Sequence, residues 1–223
     1  MSRSKNVTGV TSLADAKPIA YGHVRQIWDR PGYPDQILKT IQPGKVQKFA
    51  SRPAYRRAID DIRYGPYRSF RIEYRYYART AFKCLKAGRS NPIAEMGGLI
   101  VTDRGLAQVC EKITDSSGAL AKTLQTLIRE RSLDDTRVGW LNEFAKSLFI
   151  LNVSVPDLHV NNVVFDEIRG QFLVVDGYGD KAKIPLRAFF RCLNYAKLDA
   201  RFARMAEPGY LEWDSSSKKY SLV

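Results

Sequence analysis

Cysteine is scarce in this 223-residue chain, and Cys84, Cys110 and Cys192 are widely spaced with no Cys-x-x-Cys pair. That spacing excludes a disulfide framework and a cysteine-based zinc site, and it fits buried thiols in a reducing compartment. Long apolar runs are also missing. The best of them, Ser147 to Pro156, is interrupted by Asn152 and falls short of the ~18–20 residues of a membrane helix. Met1-Ser2-Arg3-Ser4-Lys5 leads into polar sequence, so no secretory leader is expected. No internal repeat is visible. Acidic residues are in deficit, 23 Asp+Glu against 36 Lys+Arg, for a formal net charge of +13. With 44% hydrophobic and 11% aromatic residues the chain can still bury a core, which excludes a disordered polybasic tail. The expectation is a basic, soluble, cytoplasmic protein with an anionic neighbour. Nucleic acid, an anionic lipid face and a phosphorylated substrate all fit that charge.

Along the chain, residues 1–16 are polar and patternless, the texture of a flexible end. Two short apolar runs, one holding Val24, Ile27 and Trp28 and the other Ile37 to Ile41, flank a Pro/Gly/Asp cluster and read as a hairpin. Residues 42–68 read as a long connection broken by Pro43, Gly44, Pro53, Gly65 and Pro66. Helical spacing returns over 69–87, where Phe70, Tyr74, Tyr77 and Ala81 share a face with Glu73 beside it. Residues 98–113 read as strands about a turn at Asp103-Arg104-Gly105. Helices are expected over 120–128, 135–151 and 186–205, the last with Leu186, Phe190, Leu193 and Lys197 along one side. Between the second and third lies a hairpin, Val163-Val164-Phe165 with Phe172 to Val175. Trp28 and Trp140 are expected in the core, and residues 207–223 read as a polar tail that leaves Trp213 unexplained.

The densest chemistry lies at the mouth of that hairpin. An antiparallel pair leaves at Asn162 and returns at Asp176, so the amide oxygen and the carboxylate meet at one end of the ribbon, with Asp157 on the approaching loop. Two carboxylates and one amide oxygen on fixed backbone suit a hard, oxygen-loving cation such as Mg²⁺, with one carboxylate left to accept a proton. Asp and Asn also mark hairpin ends for purely structural reasons.

The pattern D-x-x-x-x-N, hairpin, D-G is the spacing of the protein-kinase-like fold, which also needs a lysine on a strand and a glutamate on a helix. Lys39, within Ile37-Leu38-Lys39-Thr40-Ile41, and Glu73 stand in that order. Other motifs are Gly22-His23-Val24-Arg25-Gln26-Ile27-Trp28, Glu73-Tyr74, Thr102-Asp103-Arg104-Gly105-Leu106 and Glu111-Lys112-Ile113-Thr114-Asp115-Ser116-Ser117-Gly118. Asp157-Leu158-His159-Val160-Asn161-Asn162 and Val174-Val175-Asp176-Gly177-Tyr178-Gly179 complete the set. From about Lys17 to Ala206 the chain resembles the YrbL family (PhoP regulatory network protein), a small bacterial branch of the protein-kinase-like superfamily.

The resemblance implies an α+β, minimal two-lobed protein-kinase-like fold, with a small β-rich N-lobe over 17–113 and a truncated helical C-lobe over 114–206. It implies ATP and Mg²⁺ as cofactors. Gly22 would sit in the phosphate-covering hairpin, Lys39 held by Glu73 would position the phosphates, and the stretch around Glu111 would be the hinge that meets adenine. Asn162 and Asp176 would be the metal ligands, Asp157 the acceptor-orienting residue, and His159 would stand where many protein kinases have a lysine near the γ-phosphate. Departures matter: the loop reads Val155-Pro156-Asp157 and not His-Arg-Asp, Gly22 stands alone where three glycines are usual, and the metal motif is Asp176-Gly177 with no Phe between them. The short stretch after Asp176 argues against a protein substrate.

Residues 42–68 interleave Lys45, Lys48, Arg52, Arg56, Arg57, Arg63 and Arg68 with Tyr55, Tyr64 and Tyr67, which reads as a basic flap attracting an anionic substrate or as a solvated loop. Arg68, Arg71, Arg75 and Arg79 form a basic helix stripe, and the cations and phenylalanines of 181–206 suit either a closing helix or peripheral contact with the inner membrane surface. The leading expectation is an ATP/Mg-dependent phosphotransferase acting on a hydroxyl of an anionic sugar or lipid. The alternatives are a pseudokinase or scaffold that binds nucleotide or nucleic acid with little turnover, and a nucleic-acid-binding module.

Overall fold

In the computed structural model, residues 9–22, 24–61, 64–179 and 191–223 are described. The chain divides into two units, Met1–Arg71 with Glu95–Lys112 and Ile72–Ala94 with Ile113–Val223.

The first unit is built on a five-stranded antiparallel sheet in the order β1-β2-β3-β5-β4. Its strands are β1 (Ala20–Tyr21), β2 (Arg25–Arg30), β3 (Tyr33–Ile41), β4 (Met96–Thr102) and β5 (Gly105–Glu111). Pro31 and Gly32, the latter at φ +78°, make the expected β2–β3 turn. The period-two side-chain alternation of a strand splits β3 into two faces. Leu38 packs with Leu13, Trp28, Ala107 and Val109, and Thr40 accepts the Trp28 indole N–H at 2.9 Å. Lys39 and Ile41 take the other face.

Two expectations fail in this unit for identifiable reasons. Leu13 is buried in the sheet core, and Thr11 donates its N–H to Val101 O at 2.9 Å, so the segment from Gly9 onward is pinned and not frayed. A single leucine in polar sequence carries no periodic signal, which is why it escapes a pattern reading. Residues 42–68 are also not a loop: α1 (Pro43–Ala50) and α2 (Ala54–Asp61) occupy most of them, followed by a 3₁₀ turn at Gly65–Tyr67. The prolines taken as breakers stand where helices start. Pro43 opens the first turn of α1, and Pro53 O accepts the N–H groups of Arg56 and Arg57. Proline's fixed φ and missing N–H suit that position.

The helix α3 (Arg68–Ala87) follows as the spacing predicts. Its most buried positions are Phe70, Glu73, Thr80 and Cys84, so Glu73 lies on the buried stripe and not beside it. The second unit contains α3 from Ile72 onward, α4 (Leu124–Arg129), α5 (Asp135–Ile150), the hairpin β6 (Val163–Asp166) and β7 (Gln171–Val174), α6 (Arg191–Met205), and a second hairpin, β8 (Leu211–Asp214) and β9 (Lys219–Leu222). Thr123 caps α4 by accepting the Thr126 N–H at 3.2 Å, and Asp134 caps α5 by accepting the Arg137 N–H at 2.7 Å. The α4 helix begins at Leu124, because Leu120 and Thr123 are bridged to Thr114 and Val164. The far end of α5 is closed by Lys83, whose ammonium donates to Leu151 O at 2.6 Å and Asn152 O at 3.0 Å, a cation at the negative end of a helix.

The presumed polar tail is a packed hairpin. Trp213 stacks on Phe202 at 4.9 Å between ring centres, with Phe149 and Tyr220 around it, and donates its indole N–H to Asp199 at 2.8 Å. The polar run Asp214 to Lys218 is the turn, with the Asp214 carboxylate accepting the Ser216 N–H at 2.8 Å. In α6 the buried stripe is Asn194, Leu198, Phe202 and Met205, whereas Leu193 and Lys197 are exposed; Leu186 and Phe190 lie outside the described residues. Phe202 is therefore committed to the core and not offered to a membrane. Cys84 and Cys110 are buried as expected, but Cys192 is exposed, and Trp140 is only half-buried, stacked on Phe165. Among the described residues no helix is long and apolar enough to cross a membrane.

Candidate functional site

Val153, Val155 and Leu158 are buried, and that anchoring leaves Asp157 exposed on a fixed loop. The loop is tied to the segment beyond β7: the Asp157 N–H donates to Gly177 O at 3.2 Å, and the Gly179 N–H donates to Ser154 O at 3.0 Å. The hairpin register pairs Val163 with Val174, and the Val175 N–H donates to Asn162 O at 3.0 Å, which sets Asn162 and Asp176 at the same end of the ribbon. Asn162 closes the knot by donating its Nδ2 to Asp157 O at 2.9 Å.

That bond fixes the amide's orientation and leaves Oδ1 as the Asn162 atom that could hold a cation. The Asp176 Oδ1 accepts the N–H of Gly177 at 2.6 Å. Gly177, at φ +77°, has no room for a side chain, since a Cβ there would lie 2.7 Å from the Asp157 Cβ and 3.0 Å from the Asn162 Nδ2. Three of the expected residues, Asp157, Asn162 and Asp176, are thus brought together within one unit.

A donor set of one amide oxygen and one carboxylate fits Mg²⁺, which keeps several waters and is usually held by one or two carboxylates plus substrate phosphates. Among the described residues no three His, Cys, Asp or Glu side chains gather to form a metal cage of their own.

His159 stands next to this knot. Its Nδ1 accepts the Asn161 N–H at 3.2 Å, so in the neutral ring the proton is on Nε2. Nε2 lies 3.9 Å from the Asp157 Oδ2, too far for a hydrogen bond.

Gly22, Lys39 and Glu111 lie in the β-rich unit, and Glu73 in the other. Lys39 is 5% exposed and Glu73 1% exposed, and both side chains are engaged. Charged groups this deep need compensation. The Gly22 N–H donates to Arg25 O at 2.9 Å, and a Cβ at Gly22 would meet only that oxygen, at 3.8 Å. The fold itself thus gives no steric reason for a glycine there. Glu111 is tied to Glu95, its N–H donating to Glu95 O at 3.0 Å and its Oε1 accepting the Glu95 N–H at 2.9 Å.

One residue that pattern reading missed is Gln108, the register partner of Lys39 on β5. It is 1% exposed, and its Nε2 has no hydrogen-bond partner among the described residues. Directly opposed residues of an antiparallel pair share a face, so this orphaned donor lies on the Lys39 side of the sheet. The signal was present as one amide inside the apolar run Leu106 to Cys110.

The fold is α+β, a β-rich N-terminal sheet followed by a mainly helical part. More narrowly, the chain belongs to the PhoP regulatory network protein YrbL family, whose model matches residues 11–208. Among solved structures, a crystal structure of a Stt7 homolog from Micromonas algae soaked with ATP is similar at a TM-score of 0.46 and 16% identity. The similarity covers 72% of this chain and 47% of that one, so this chain spans about half the neighbour's length. No curated protein matches it in sequence.

Proposed function

We propose that the protein is an ATP- and Mg²⁺-dependent phosphotransferase of the kinase-like superfamily, acting on a hydroxyl of an anionic sugar or lipid. The observation that carries this reading is the knot of Asp157, Asn162 and Gly177, which holds two acids and one ligating amide oxygen in a small space. Asn162 and Asp176 are assigned to the metal, which when bound would neutralise charge on the phosphates. Lys39 is assigned to positioning those phosphates and Glu73 to keeping its ammonium charged. Gly22 permits close approach of backbone to phosphate, and the neighbourhood of Glu111 is assigned to the base. The orphaned Gln108 Nε2 supports a ligand on the Lys39 face, because a buried donor without a partner is costly.

In the reaction the acceptor hydroxyl oxygen bonds to the γ-phosphorus as the bond to the β–γ bridging oxygen breaks. ADP leaves with that electron pair, and the hydroxyl proton passes to the Asp157 carboxylate. His159 is assigned to donate one hydrogen bond from Nε2 to a phosphoryl oxygen. Orientation and charge neutralisation account for most of the rate in such a loose transition state.

A second reading is a pseudokinase or scaffold. It is favoured by Asp157, whose side chain is 67% exposed with no hydrogen bond to brace its carboxylate among the described residues. One set of measurements separates the two. Mg·ATP at about 100 Kd should stabilise the protein by about 2.7 kcal/mol, and Asp176→Ala should remove that gain. Asp157→Ala should keep the stabilisation while lowering ADP release by about 10²–10⁴-fold, the usual weight of a general base. A shift that needs no Mg²⁺ and survives Asp176→Ala would establish the pseudokinase, and no shift at all would end the nucleotide reading.

A further inference from the structure

The three residues preceding Asp157 form one wall of a small pocket that the reading above leaves without a role. Ser154, Val155 and Pro156 line it together with Asn194, Lys197 and Arg201 of α6, and its volume is about 90 Å³. All six belong to the same unit. The space is ample for a single tetrahedral group such as a phosphate, since a water needs only about 10–15 Å³ by the same measure.

Val155, Pro156 and Leu198 give it an apolar side, and the remaining lining is polar or charged. Asn194 is 2% exposed and Ser154 5% exposed, so both are committed to the interior. Asn194 Nδ2 donates to Asn152 Oδ1 at 2.8 Å and to Val153 O at 3.1 Å. Both amide hydrogens are therefore used, and the Oδ1 has no partner among the described residues. The Ser154 hydroxyl also has none there, although its backbone carbonyl is occupied by Gly179. These two groups keep hydrogen-bonding capacity that a polar ligand could use.

Charge supplies the second half. Lys197 and Arg201 are four residues apart and so lie on one side of α6. Among the described residues neither has an acidic partner. The acid between them in sequence, Asp199, is taken by Lys218 at 2.8 Å and by the Trp213 indole. The pocket thus offers two uncompensated cations, one hydroxyl and one acceptor oxygen.

We infer that this pocket binds the phosphate of the acceptor itself, a phosphomonoester that also carries free hydroxyl groups. Lys197, Arg201 and the Ser154 hydroxyl take the phosphate oxygens, and the Asn194 Oδ1 accepts from a neighbouring ligand hydroxyl. Pro156 immediately precedes Asp157, so one wall of the pocket is continuous with the loop that carries the Asp157 carboxylate. The inference rests on the assignment of Asp157 to the acceptor. A soluble sugar phosphate and a phosphomonoester lipid headgroup present the same chemistry to this pocket.

The test uses titration calorimetry of the full chain with glycerol 3-phosphate, and sedimentation with vesicles containing phosphatidic acid. One of these probes should bind the wild type, and its Kd should weaken at least about tenfold in Lys197→Ala/Arg201→Ala, the loss of two charge-assisted contacts. Arg75→Ala/Arg79→Ala, which removes the same charge from an exposed helix face, should leave that Kd unchanged. Binding of glycerol 3-phosphate marks a soluble acceptor, and binding of the vesicles alone marks a lipid.

Equal weakening in both double variants, unchanged binding in Lys197→Ala/Arg201→Ala, or no binding of either probe would overturn the inference. Mg·ATP stabilisation is measured on the same samples and should be unaffected by the pocket variant. If phosphate binding behaves as expected while Mg·ATP gives no stabilisation, the pocket stands and the phosphotransferase reading falls. If Mg·ATP stabilises and the pocket variant binds phosphate normally, only the pocket falls.

Discussion

A methyl group at Gly177 should unseat the Asp157 loop, and a second glycine of the same unit calibrates how strongly. Gly177 and Gly209 have nearly the same backbone, φ +77° and +73°, so alanine at either pays a similar conformational cost. For a residue with a Cβ that cost is about 1–2 kcal/mol. Around Gly209 there is nothing within 4 Å of an added Cβ, so the cost ends there. At Gly177 the Cβ would stand 2.7 Å from the Asp157 Cβ and 3.0 Å from both the Asp157 O and the Asn162 Nδ2. Two of those atoms belong to backbone or to a hydrogen-bonded amide and cannot swing aside. Overpacking of this kind adds about 1–3 kcal/mol. Gly177→Ala should therefore cost about 2–5 kcal/mol and Gly209→Ala about 1–2 kcal/mol in urea unfolding followed by circular dichroism. The same push acts on the Asn162 amide, so Gly177→Ala should also lose the Mg·ATP stabilisation that Gly209→Ala keeps. Equal destabilisation by the two alanines would refute the reasoning, because it would mean that the loop gives way without cost and holds nothing in place.

Two predictions concern proton linkage. Burial, with Arg79 and Arg191 nearby, pulls the Lys83 ammonium down from 10.5 to about 8. Between those pH values the unfolded chain binds more protons at this site, so its contribution to stability rises with pH across the window and is least favourable below about 8. The adjacent Cys84 thiol, pushed up by burial, slopes the other way, so the check is site-specific: among ¹³C-methylated lysines one resonance should titrate near pH 8 and vanish in Lys83→Met. At the β8–β9 hairpin, burial raises Asp199 but hydrogen bonds from Lys218 and Trp213 outweigh it, and Asp214 is held low by Ser216 and Ser217. Both carboxyls thus sit below the ordinary aspartate value of about 3.9. Their stabilisation is complete above that value and is lost as pH falls through the lower folded values, so Asp199→Asn and Asp214→Asn should each flatten the acid limb of a pH–stability curve.

Legibility in the sequence followed the range of the interactions. The β6–β7 hairpin, the α5 periodicity and the Asp157–Asn162–Asp176 grouping all depend on residues within about one supersecondary unit, where spacing and register are nearly deterministic. The N-terminal strands and the Lys39 position were legible for the same reason. Pro43 and Pro53 misled because a proline signals a boundary without saying whether a helix ends or begins there. The polar run after Asp214 misled because a hairpin turn and a solvated tail have the same composition. Only the alternation of Leu211 with Trp213, and of Tyr220 with Leu222, separates them.

What stayed hidden needed two distant segments at once. Gln108 becomes informative only when β5 is laid against β3 and its amide is found buried opposite Lys39 without a partner. Lys197 and Arg201 look like ordinary solvated cations until Asn194, on the same helix, is found to spend both amide hydrogens on the backbone and side chain of the segment leading to Asp157. In each case the telling fact is an unused bonding capacity and not a residue type. Such capacity is a property of the folded neighbourhood, because in the unfolded chain water satisfies every donor and acceptor equally. This is why the chemical class of the reaction can be argued from spacing, whereas the acceptor has to be argued from the groups that folding gathers against the segment leading to Asp157.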